Sequence, residues 1–268
     1  MTRTFDLSSS IDDTYFPLSA LRALSARSEE TGVTWIVIGA MARDPVVHIP
    51  LGHAPARATK DVDIGIAVPA KDGFTTFTEG LTQRRNGQHA FSIEGVPIDI
   101  VPFGGIEADG HITFPDGHRL NVIGLSEAAS SPDQVRLAEN LTVSVASLEA
   151  QCPLKLLAWR DRHTTDTKDA LDLITLLSAG SEGCYAEETW DHDYSLTAND
   201  DDIRLAGSFR LGLEGAALFG GPRREAASTI LRDGAQRALL LRHMSQHGAK
   251  EILDAYVRGF VGLARGDR

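Results

Sequence analysis

The sequence predicts an α+β protein: a mixed sheet with helices over residues 1–146, followed by a helical domain over residues 147–268. Three observations carry this. Short β-branched runs bounded by glycine recur through the first half. Asp109-Gly110 and Asp116-Gly117 are strong hairpin signals there. Beyond Ser147 the apolar residues fall at helical spacing, between glycine-marked breaks.

In chain order, residues 1–15 read as a loose leader, and the segment from Pro17 to Leu24 begins an amphipathic helix that would cover one face of the sheet. Thr34 to Ile38 is a buried-strand pattern closed by Gly39, where the backbone can turn tightly or approach a ligand. Met41 to Arg43 suits one helical turn. Pro45, Pro50 and Pro55 argue for a loop from Pro45 to Ala58, with His48 and His53 exposed in it.

The run from Asp61 to Val68 alternates as a strand does. It places Asp61, Asp63 and Gly65 on one face and Val62, Ile64 and Ile66 on the other. Two carboxylates held side by side repel unless a cation lies between them, and hard oxygen ligands suit Mg²⁺ bound together with substrate phosphates. A solvated strand end is the plainer account of a bare Asp-x-Asp. A third acid, Asp99, shifts the balance, because it interrupts the apolar run from Val96 to Val101 that otherwise reads as a central strand. The expected metal ligands are therefore Asp61, Asp63 and Asp99.

Residues 74–84 read as a helix, and Ala90 to Glu94 with Val96 to Phe103 as a hairpin around Gly95. His111 to Phe114, Arg119 to Ile123 and Leu141 to Val145 complete the expected strands. A helix from Leu148 to Arg162 carries Lys155, Trp159 and Arg162 on one face, and a second from Thr165 to Ser178 carries Asp169 and Asp172. Lys155 is either aimed at a site or a snorkelling surface lysine, and Lys168 and Asp172 are spaced to pair on the surface. Ser181 to Asp202, with eight acids and no Lys or Arg, reads as a linker or exposed loop. Four helices follow, over 203–219, 224–231, 235–246 and 249–263. His243 and His247 lack a third metal ligand and are expected at the surface.

Taken together, the strand before Gly39, the string Arg57-Ala58-Thr59-Lys60-Asp61-Val62-Asp63 and the later Asp99 resemble the nucleotidyltransferase-fold enzymes related to DNA polymerase β. The string itself, with Lys155 and the segment from Lys168 to Asp172, is similar to the AbiEii and MenT toxin nucleotidyltransferases. The resemblance spans about residues 30 to 178. It implies a nucleotidyltransferase domain over 1–146 and a helical domain contributing Lys155, Asp169 and Asp172 to its site. It also implies nucleotide binding by Gly39, Ala40, Arg57, Thr59 and Lys155, with catalysis by Asp61, Asp63, Asp99, Lys155, Asp169 and Asp172. One departure stands out: Ala40 replaces a second glycine or a serine, removing a hydroxyl that could hold phosphate, though backbone N–H groups could still do so.

Mg²⁺ or Mn²⁺ on the acids would bind the triphosphate of an NTP, while Asp99 draws a proton from an attacking hydroxyl and pyrophosphate leaves. By resemblance the acceptor is a tRNA 3′ end, and the cellular role that of a toxin restrained by an antitoxin protein. Two other classes stay open: a nucleotidyltransferase for small molecules of the aminoglycoside type, and a noncatalytic binding protein of the same fold.

Composition fits this picture. The net charge of −11 argues against nucleic acid as a partner, yet the charge is uneven: residues 203–268 hold 11 Lys and Arg against 6 acids, and residues 1–202 hold 15 against 31. Neither a signal peptide nor a membrane-spanning run is expected, so no membrane partner is, and the expected location is cytoplasmic. Cys152 and Cys184 form neither a metal motif nor a disulfide framework.

Overall fold

In the computed structural model the described residues are 2–11, 16–53, 61–85 and 87–262. They form two compact units, residues 1–147 and 148–268. The architecture is a mixed α+β sheet with helices, followed by a helical cluster.

The first unit runs β1 (Thr4–Asp6), α1 (Leu18–Thr31), β2 (Trp35–Ile38), α2 (Gly39–Arg43), a π-helical turn (Asp44–His48), β3 (Val62–Val68), α3 (Lys71–Thr78), β4 (Thr82–Gln83), β5 (Ala90–Ile93) and β6 (Val96–Gly104). It continues with β7 (His111–Thr113), β8 (Arg119–Asn121), α4 (Leu125–Ser130), β9 (Asp133–Ala138) and β10 (Leu141–Val145). Among the described residues eight strands make one sheet in the order β1-β9-β10-β2-β3-β6-β5-β4, with β7 and β8 as a separate hairpin. Central position explains the composition of β3: Val62, Ile64 and Ile66 are fully buried on one face, while Asp63 takes the other. The β5–β6 hairpin turns through Glu94 and Gly95, both at positive φ, and so sets the register in which β6 lies beside β3.

Several expectations are corrected here. Instead of a loose leader, the N-terminus pairs β1 in parallel with β9, a strand that short polar interruptions had concealed. The expected helix over 74–84 lies earlier, as α3, and its C-terminal part is β4. Pro45 lies in a π-helical turn that continues α2 instead of in a loop, and the Ile49 amide donates to the Asp44 carbonyl at 3.0 Å. His48 is consequently buried, 3.9 Å from the Asp44 carboxylate, which also lies 3.4 Å from Arg43.

The second unit runs α5 (Leu148–Arg162), α6 (Lys168–Ala179), α7 (Gly183–Trp190), α8 (Asp193–Thr197), α9 (Ile203–Leu218), α10 (Gly221–Arg232), α11 (Gly234–Met244) and α12 (Ala249–Val261). The acidic stretch 181–202 is thus two helices and not a linker. Arg210 of α9 explains why: its buried guanidinium donates to Thr189 Oγ1 and the Tyr185 carbonyl, and meets Glu188 at 2.9 Å, tying α7 down. Pro153 cannot donate to the Glu149 carbonyl within α5, and Gly215 of α9 packs against that oxygen.

Helices α9 and α12 cross backbone to backbone. A Cβ on Gly259 would lie 2.2 Å from the Phe209 carbonyl oxygen, and one on Gly212 2.5 Å from that of Tyr256. Neither neighbour is a side chain that can rotate away. Gly259→Ala is therefore expected to destabilise the helical unit by about 3 kcal/mol or more, read as a lowered urea midpoint by circular dichroism. Among the described residues no helix is long and apolar enough to cross a membrane.

Candidate active site

The site is built where β2, β3 and β6 lie side by side. β3 and β6 are parallel with Asp63 opposite Asp99, and β2 is antiparallel to β3 with Ile38 opposite Asp63. Strand alternation puts paired residues on one face, so two carboxylates project together from adjacent central strands. Asp61, just before β3, is exposed, and its charge acts on Asp99. Asp63 and Asp99 are thus brought together from two loci far apart in the chain.

Gly39 closes this arrangement from β2. It has φ +69°, and a Cβ there would lie 2.2 Å from Asp63 Oδ2 and 2.9 Å from Asp63 Cβ. Its backbone thus rests against the carboxylate, an approach that glycine alone permits and that also needs glycine's left-handed conformation. α2 starts at Gly39 and runs against β3, with Ala40 half-buried in its first turn. Arg57 and Thr59 lie outside the described residues.

Partial burial pushes the Asp99 carboxyl above its ordinary range; His89 and Asp61 act next, in opposite senses, with His89 lowering it and Asp61 raising it, and Arg84 lowers it further. His89 and Arg84 were not foreseen from sequence. The signal is the register: Ala90 pairs with Asp99, and the Ile100 amide donates to the His89 carbonyl at 2.7 Å. Because folding raises its proton affinity, an ionised Asp99 costs stability above its folded pKa, and the cost disappears once the carboxyl is protonated. Asp99→Asn should accordingly melt higher than wild type at pH 7 without metal. The gain should vanish below about pH 4, as thermal melts with chelator would show.

Among the described residues, no three His, Cys, Asp or Glu side chains form a group that could by itself hold a metal ion. Asp63 and Asp99 supply two neighbouring carboxylates. That suits Mg²⁺, which keeps waters and takes phosphate oxygens beside one or two protein carboxylates. The donor set fits a metal brought to the site with a triphosphate better than a resident structural ion.

In the helical unit, Lys155 is buried, with Nζ 2.7 Å from Asp172 Oδ2 and 3.2 Å from Asp169 Oδ1. Asp169, fully buried, also receives Arg162 Nη2 at 2.7 Å and Nε at 3.1 Å. Seven residues separate Lys155 from Arg162 on α5 and three separate Asp169 from Asp172 on α6, so two facing helices present a chain of alternating charge. Both acids orient Lys155, which is no snorkelling lysine. Lys168 pairs with Asp166 at 2.9 Å. His243, expected at the surface, is half-buried and accepts a hydrogen bond from Trp159 Nε1 at 3.0 Å.

No family model and no curated protein matches the chain. Among solved structures, the antibiotic-resistance factor ANT(2″)-Ia aligns with 70% of this chain and 97% of its own, at 11% identity and a TM-score of 0.38. An antigenic nucleotidyltransferase-like protein from Paracoccidioides brasiliensis aligns with 73% of this chain and 94% of its own, at 15% identity and a TM-score of 0.43. The CCA-adding enzyme of Thermotoga maritima, solved with tRNA, aligns with 93% of this chain and 70% of its own, at 14% identity and a TM-score of 0.26. The likeness is distant and not specific to the toxin group, so the functional reading rests on the site's own geometry.

Proposed function

We propose that the chain is a metal-dependent nucleotidyltransferase that moves NMP from an NTP to an acceptor hydroxyl, with a tRNA 3′ end as acceptor. Its cellular role on this reading is that of a toxin paired with an antitoxin protein. The observation that carries the chemistry is the register of Asp63 against Asp99, with Gly39 packed on the Asp63 carboxylate. The acceptor and the toxin role are supported by the resemblance of the Arg57 to Asp63 string.

Asp63 and Asp99, with Asp61 beside them, would hold Mg²⁺ or Mn²⁺. The ion would supply positive charge against the triphosphate as negative charge develops. Asp99, whose proton affinity is raised, takes the proton of the attacking hydroxyl. Gly39 lets the backbone rest on Asp63 without displacing its carboxylate, and the amides at Gly39 and Ala40, with Arg57 and Thr59, hold phosphate oxygens. That Lys155, Asp169 and Asp172 also serve transfer belongs to the same proposal.

A small cationic acceptor of the aminoglycoside type is the second reading, favoured by the excess of 31 acids over 15 basic residues in 1–202. The test is transfer of label from each α-labelled NTP, with Mg²⁺ or Mn²⁺, into bulk RNA and into aminoglycosides, by wild type and by Asp63→Asn. Label in tRNA-sized material with wild type alone supports the first reading, and label only in the small molecule replaces it with the second. No transfer to either sinks both.

A further inference from the structure

The large exposed apolar side chains among the described residues are Leu171, Trp190 and Tyr194, and two of the three sit at one corner. Trp190 ends α7 and Tyr194 lies in α8, with 56% and 64% of their surfaces exposed. Trp159, Tyr185 and Tyr256, by contrast, are fully buried. An exposed Trp and Tyr four residues apart form the kind of pair that anchors protein interfaces.

The backbone at the corner is anchored. His192 caps α8, its Nδ1 accepting from the Ser195 amide at 3.1 Å, which orders the turn between the two aromatics. Thr189, fully buried, donates to the Gly180 carbonyl at 2.7 Å, and Tyr194 leans on Phe209 with ring centroids 5.7 Å apart. A side chain already seated before binding, as Tyr194 is, loses little entropy on docking.

Charge identifies the occupant. Glu187, Asp191 and Asp193 are exposed around the pair, and no Lys or Arg occurs between Ser181 and Asp202. A polyanion such as RNA is repelled here, whereas Lys and Arg would meet complementary charge at the rim and aromatic faces at the centre. We propose that the α7–α8 corner is a docking surface for a basic, amphipathic polypeptide segment of a partner protein. It uses none of the residues of the carboxylate site and does not depend on the chemistry assigned there.

The probe is a fluorescent synthetic peptide of alternating Lys and Leu in helical register, titrated at low ionic strength against wild type and three variants of the full chain. Trp190→Ala/Tyr194→Ala removes the aromatic pair, and Asp191→Asn/Asp193→Asn removes charge alone. Asp109→Asn/Asp116→Asn neutralises an exposed acidic pair elsewhere. All six positions are exposed, and circular dichroism checks the folds. The expected result is binding weakened about tenfold or more by each of the first two variants and unchanged by the third. The proposal is overturned if the peptide fails to bind, if the three variants behave alike, or if a Glu-Leu peptide of the same pattern binds equally. It is overturned also if tRNA competes for the corner, or if sedimentation shows a dimer of this chain that Trp190→Ala/Tyr194→Ala dissociates.

Discussion

Asp63→Asn should slow nucleotidyl transfer roughly a thousandfold while leaving the protein folded. The substitution keeps the shape that packs against Gly39 and changes only charge. Losing a metal carboxylate removes about 4 kcal/mol of charge stabilisation at a phosphoryl centre, and each 1.36 kcal/mol is about tenfold in rate. Asp63 and Asp99 stand on paired positions of neighbouring strands, so the loss of charge is felt at the site itself. Single-turnover label transfer beside thermal melts separates the two effects. A variant retaining a tenth of wild-type rate would remove Asp63 from the chemistry, and a collapsed melt would make it structural.

Lys155→Met should be the most damaging single change in the helical unit, lowering stability by about 3–5 kcal/mol. It removes the partner that meets Asp172 at 2.7 Å and Asp169 at 3.2 Å, in surroundings where Asp169 is fully buried. Asp169 keeps Arg162, so part of its compensation survives. Urea unfolding of the variant and wild type gives the comparison. If Lys155→Met unfolds at the wild-type midpoint, the ion pairs do not hold α5 to α6.

How much of this was legible in the sequence depended on whether the deciding contact was local. The interrupted run at Asp99 marked a carboxylate on a central strand, which the sheet shows, and alternation put Asp63 on the face opposite Val62 and Ile64. That Asp63 faces Asp99 required the register of two strands more than thirty residues apart, which periodicity does not encode. His89 and Arg84 were missed for the same reason: their influence on Asp99 follows from the hairpin pairing. The pairing of Lys155 with both aspartates arises between two helices, and the spacing within each gave only the faces. The acidic segment 181–202 misled because composition favoured solvent. What ties α7 down is Arg210, more than twenty residues downstream. Pro45 misled in the opposite sense, since its effect depends on where in a helical turn it falls.

The central claim is that Asp63 and Asp99 form a site for a divalent ion carried with a triphosphate. It is tested most directly by calorimetric titration of each NTP, with and without Mn²⁺, into wild type, Asp63→Asn and Asp99→Asn. The account predicts that Mn²⁺ tightens NTP binding to wild type at least about tenfold and that either substitution abolishes this enhancement. NTP binding that Mn²⁺ strengthens equally in all three proteins would contradict it.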